Sequence, residues 1–186
     1  MASAVDIANR ALQKLGAKSI VSMTENSKSA RELNRAYTHI RDAELEEHPW
    51  LFALKLASLS PKTDAPLFGY AVAYQLPADF ITVIRDPEED PDWEILGREI
   101  HTDQDTQLDI KYIRRVSDEN DMTPLFREAL AGRLAVDLAE AFTQSNSKKE
   151  AAAAFYENTL KKAKRRNAIG NPPKVRTSTS WLAVRS

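Results

Sequence analysis

Apolar residues recur at three- and four-residue steps in four parts of this chain, and at two-residue steps between the second part and the third. The first helical stripe is Ala4, Ile7, Ala8, Ala11, Leu12 and Leu15. Ser3 with Asp6 three residues later has the spacing of a capping pair, and Gly16 is a natural stop. A linker over residues 17–26 carries Ile20, Val21 and Met23, enough apolar surface to pack down. Asn26 or Ser27 can cap a second helix that runs to Glu47 with Ala30, Leu33, Tyr37 and Ile40 on one face.

Residues 41–52 change the character of the chain. Pro49 has no amide hydrogen and pushes His48 out of helical backbone angles. Trp50 and Phe52, two apart, are expected on one face of a strand. His48, Pro49, Trp50 and Phe52 are thus read as a structural corner where the helical and β parts meet.

Period-two signals fill the next stretch. Leu54 and Leu56 alternate with Lys55 and Ala57, and Tyr70, Val72 and Tyr74 follow. Residues 76–79 read as a turn and 80–84 as a strand. Residues 93–101, with Gly97 in the middle, read as a hairpin. Leu108, Ile110 and Tyr112 mark the last strand. Strands in succession without helices between them predict an antiparallel sheet. Thr123 followed by Pro124 opens the third helix. Its narrow polar stripe predicts burial between the first, second and fourth helices. Ser147 and Glu150 suggest a capping box for the fourth, which is expected to bury Ala152, Phe155, Thr159 and Ala163 and to fray toward Gly170. Pro172 and Pro173 then start an arm.

The fold expected is α+β: a four-helix bundle from residues 1–48 and 122–169, an antiparallel β-rich insertion over 49–121, and an extended C-terminal arm over 170–186. A length of 186 residues suits one domain with an insertion.

Composition narrows the chemistry. Without cysteine there is no disulfide, thiolate metal site or cysteine nucleophile. Asp6, Asn9 and Arg10 interrupt the first twenty residues, which do not read as a signal peptide. No apolar run approaches the roughly 20 residues of a membrane span, so no membrane partner is expected. The net charge of −1 hides two blocks. Residues 86–121 hold thirteen acids against four bases, and residues 148–186 hold ten bases against two acids. Such polarity suits contact with a complementary partner or a second copy, or two solvated faces.

Catalytic patterns are lacking. His39, His48 and His101 are scattered, where zinc needs three or four ligands together. His48 reads as a helix-end histidine suited to the helix dipole. Asp103 and Asp105 lack the glycine and distal glutamate of a calcium loop. Gly97 stands alone, so no phosphate-cradling loop is present, and there is no Gly-x-Ser-x-Gly elbow. No catalytic residue, metal or cofactor is expected. Lys161, Lys162, Lys164, Arg165 and Arg166 could meet phosphates, but no nucleic-acid recognition pattern accompanies them.

A set of residues in order carries a resemblance. Ala8-Asn9-Arg10-Ala11-Leu12 with Leu15-Gly16 is followed by Ala30-Arg31, Tyr37, Arg41-Asp42, Leu45 and His48-Pro49-Trp50-x-Phe52-Ala53. Then come Tyr74-x-Leu76-Pro77-Ala78-Asp79-Phe80, Tyr112-x-x-Arg115-Val116 and Phe126-x-Glu128-Ala129-Leu130-Ala131. In these the chain resembles the tail tubular protein A, or head-to-tail adaptor, family of short-tailed phages. Tyr70 stands where that family often has tryptophan.

The resemblance implies a non-enzymatic virion protein at the head–tail junction, assembled in the host cytoplasm. It implies a dodecameric ring beneath the portal protein and above a tail nozzle protein, with tail fibres as a further partner. Double-stranded DNA would pass through the lumen without sequence-specific binding. Within the arm, Lys174, Arg176, Trp181, Leu182, Val184 and Arg185 are the candidate partner-binding residues: a large apolar cluster among bases suits an acidic acceptor surface. The competing readings are a head-completion or stopper connector of another tail type, a polysaccharide hydrolase using the acidic β region, and a nucleic-acid-binding protein.

Overall fold

Local signals set most of the element ends in the computed structural model, which describes residues 2–85, 92–143 and 145–170. Helix α1 spans Ala4–Leu15 behind a true capping box. The Ser3 hydroxyl accepts from the Asp6 amide and the Asp6 carboxylate accepts from the Ser3 amide. Gly16 ends it at φ 69°, a left-handed angle that glycine tolerates best. Helix α2, Lys28–Glu46, is capped by Ser27. Between them, Asn9 gives and takes one bond each with the Ile20 backbone, at 2.9 and 2.8 Å, and pins the linker to α1. Ile20 is buried and Met23 packs against the core, as expected, but Val21 points into solvent.

Strands β1 (Leu54–Leu59), β2 (Val72–Gln75), β3 (Phe80–Val83), β4 (Trp93–Leu96), β5 (Glu99–Thr102) and β6 (Leu108–Arg114) are all antiparallel. Helices α3 (Pro124–Phe142) and α4 (Asn146–Gly170) close the described chain. The fold is therefore α+β, four helices with two small antiparallel sheets.

A single sheet was the expectation, and the strands instead form two, ordered β1-β6-β3 and β2-β5-β4. The split follows from the side chains of β6. Leu108, Ile110 and Tyr112 face the second sheet's cluster of Tyr74, Trp93 and Ile100, while Ile113 joins the helical core. The first sheet is thus covered on both sides near its helical end, and Asp109 and Lys111 farther along remain exposed. A bulge between Phe80 and Thr82 lets Ile81 also reach the helices. The sheets touch through the bridge Pro61–Tyr74 and the Lys62 amide on the Ala73 carbonyl. At the β4–β5 turn Gly97 has φ 64°, where a Cβ would be strained.

Helix α3 packs against α1, α2 and α4. Its buried face is rich in small residues: Ala129, Ala131, Gly132, Ala135 and Ala139. Small side chains allow close helix approach, and a Cβ built on Gly132 would lie 3.0 Å from Tyr156 Cα.

Helix α4 departs from expectation at both ends. Ser147 lies inside it, and the Lys149 amide donates back to the Ser145 carbonyl ahead of the helix, so no Ser147–Glu150 box forms. At the far end the helix does not fray before Gly170, one residue into the predicted arm, because Asn167 is tied to the chain ahead of β1. Ala152, Thr159 and Ala163 are buried as expected, while Phe155 is half-covered, with Lys14 Nζ 3.1 Å above its ring.

Candidate functional site

The corner residues assemble, though not as a strand. Leu51–Ala53 is a single 3-10 turn, with the Ala53 amide donating to the Trp50 carbonyl. The reason is a long reach backward: Trp50 Nε1 donates to the Glu44 carbonyl at 2.8 Å, which folds the chain against the end of α2. That carbonyl lies in the last turn, where no helical amide remains to bind it. Trp50 is 1% exposed, and Phe52 is partly buried against the same core. Both rings meet Phe126 of α3 edge-on at 4.9 Å.

His48 packs edge-on against Trp50 at 4.7 Å. Asn167 of α4 accepts from the Leu51 amide at 2.9 Å and donates to the Pro49 carbonyl at 3.0 Å. The same Asn167 nitrogen lies 3.1 Å from His48 Nε2, which in this arrangement is the acceptor. Burial pushes the imidazole pKa down, and Lys164 adds to the effect. His48 thus stands just past the end of α2, as expected, with its proton affinity lowered by the burial that the corner imposes.

Beside it, Glu44 sits buried between three helices. Tyr156 of α4 donates to its Oε1 at 2.6 Å and Arg133 of α3 lies 3.8 Å away. Burial pushes the carboxyl pKa up despite the tyrosine bond. Neither Glu44 nor Asn167 was singled out from the sequence. The signal for Glu44 was present, since it follows Leu33, Tyr37 and Ile40 at helical spacing on the apolar face of α2. Asn167 carries no local signal, because its partners are more than a hundred residues away.

A second polar group joins helices to sheet. Asp42 takes Arg41 at 2.8 Å and Arg115 at 2.7 Å. The Arg115 amide donates to the Asp79 carbonyl at 2.6 Å, and Asp79 accepts from Tyr112 at 2.9 Å and Lys55 at 3.0 Å. Partial burial opposes ionisation of Asp79, but the Lys55 and Tyr112 bonds outweigh it and hold the carboxyl below its usual range. Every charge here has a protein partner, and the group ties the end of α2 to the first sheet.

A depression of about 470 Å³ on α1 is bordered by Asp6, Asn9, Arg10 and Gln13. Its polar groups are engaged within the fold, Arg10 with Glu128 and Gln13. Among the described residues no cluster of three or more His, Asp or Glu side chains could hold a metal ion, and no helix is long and apolar enough to cross a membrane. The arm candidates Lys174, Arg176, Trp181, Leu182, Val184 and Arg185 lie outside the described residues. No family model matches the chain, and comparison with curated proteins finds no relative.

Proposed function

We propose that the chain is a non-enzymatic virion connector, a head-to-tail adaptor that forms a dodecameric ring between portal and tail nozzle. One observation carries this reading: residues of the sequence resemblance that lie far apart along the chain contact one another in two groups. Asp42 meets Arg115, Asp79 meets Tyr112, and His48 and Trp50 reach Phe126 through a shared aromatic cluster. A resemblance that marks mutually contacting residues is more specific than one scattered over the surface.

The order of two helices, a β segment and two helices also supports it, with the helices read as a four-helix bundle around α3. In this reading the arm residues contact the portal or a neighbouring copy, and tail fibres are a further partner. Double-stranded DNA passes through the lumen without sequence-specific contacts.

The test is particle imaging of the chain mixed with its portal. A twelve-fold ring seated under the portal is expected. A chain that stays separate from the portal, or that cleaves a polysaccharide, would overturn the proposal.

A further inference from the structure

Two exposed patches sit at opposite ends of β1. At one end, the loop after Leu59 carries Leu67 and Phe68, which are 97% and 86% exposed. Isolated exposed apolar residues are ordinary, but two adjacent bulky ones on a loop tip are costly to leave in water. Carboxylates surround the base of this loop. Asp103 accepts from the Ala71 amide, and Asp92, Glu94 and Asp103 raise the pKa of Tyr70, after its own burial. The bases nearby are engaged: Lys62 with Glu99, and Arg85 with Asp92.

At the other end, α4 finishes against Leu51, where Asn167 holds it. Ile169 is 61% exposed there, and Lys161, Lys162, Arg165 and Arg166 are exposed on the turns before it. Among the described residues, Lys164 of this run pairs with Glu47 at 3.3 Å.

We infer that the acidic-rimmed Leu67–Phe68 tip docks on the basic, Ile169-bearing end of α4 in a second copy of the chain. The two patches match in charge and each offers apolar surface. Within one molecule Leu67, Phe68 and Ile169 all stay exposed, so the two patches do not cover each other there. A contact between unlike faces repeats from copy to copy and closes into a ring if the rotation allows. The inference deepens the ring reading and rests on it only for that closure.

The cysteine-free chain permits a clean cross-linking test. Phe68→Cys and Ile169→Cys variants are mixed at high concentration and oxidised. Both positions are exposed, so folding is preserved. A disulfide-linked heterodimer is expected from the mixture, and a reducible ladder of multimers from the double variant. Glu94→Lys or Arg165→Glu should lower the yield in the corresponding cross-link, and the two reversals together should restore it. Absence of the heterodimer, or Phe68→Cys homodimers outnumbering it, would overturn the inference. So would loss of portal binding in Phe68→Asp with no heterodimer, which would make the tip a portal contact. A portal-bound ring whose copies meet through other faces removes this contact and leaves the connector reading standing. A ladder from a chain that never binds portal does the reverse.

Discussion

The indole nitrogen of Trp50 donates to the main-chain carbonyl of Glu44 at 2.8 Å, so a side chain beyond the proline stop completes the last turn of α2. One residue thereby packs the aromatic corner and satisfies a helix end. Trp50→Ala is expected to cost about 3–5 kcal/mol, a large share of the roughly 5–15 kcal/mol that holds a domain of this kind together. Trp50→Phe keeps most of the packing and loses the cap, at about 1–3 kcal/mol for an unsatisfied buried carbonyl. Chemical denaturation of the three proteins separates the two contributions. Equal stability of wild type and Trp50→Ala would show that the corner holds nothing.

His48 should make the chain acid-sensitive. Its folded pKa lies below the ordinary value near 6.5, so the unfolded chain binds the proton more readily. Stability is then full above about 6.5 and declines as pH falls through the lowered folded value. Protonation at Nε2 also removes the acceptor for Asn167. Melting midpoints from pH 7 down to 5 should fall less in His48→Ala than in wild type. Glu47 and Lys164 act on the imidazole with opposite sign, and Lys164 adds to the burial effect. The same slope in both proteins would assign the acid sensitivity to other groups.

Asn167 ties the end of α4 to three partners in the corner, the Leu51 amide, the Pro49 carbonyl and His48. Asn167→Ala leaves the Leu51 amide without that acceptor and is expected to cost about 1–3 kcal/mol. Hydrogen exchange should then quicken in the last turns of α4 while α3 stays protected. Uniform loss of protection in both helices would mean that α4 has no separate opening.

Gly132→Ala sets two effects against each other. Alanine favours a helix by about 1 kcal/mol over glycine, but the added methyl would meet Tyr156 Cα at 3.0 Å and Phe155 Cδ1 at 3.1 Å. Backbone cannot yield as a flexible side chain would, and overpacking costs about 1–3 kcal/mol. A net loss of about 1 kcal/mol is expected by thermal or chemical unfolding. A stabilised variant would show that α3 and α4 can separate freely.

Removing residues 171–186 tests the candidate partner contacts among Trp181, Leu182, Val184 and the bases beside them. An unchanged melting temperature with lost portal binding is expected. Lost stability with binding intact would assign these residues to their own fold.

What the sequence determined by itself was whatever depends on bonds spanning a few residues. The Ser3–Asp6 box, the Ser27 and Thr123 caps, Pro124 at the first helical position and the Gly16 stop all fall where local spacing puts them. The burial of α3 was also legible, because a helix apolar on nearly every side has no solvent face to offer. Tertiary structure decided what depends on distant partners. Trp50 and Phe52 alternate like strand residues, yet the indole bond to Glu44 and the edge-on packing on Phe126 go with a 3-10 turn that starts right after Trp50. The division into two sheets turns on Tyr112 and Ile113 facing different cores, which two-residue periodicity cannot distinguish from one sheet covered on both sides. Asn167 looks like an exposed polar residue in a basic run until the corner arrives 116 residues away in sequence. Periodicity records which side of an element is apolar. Only the folded chain supplies what that side meets.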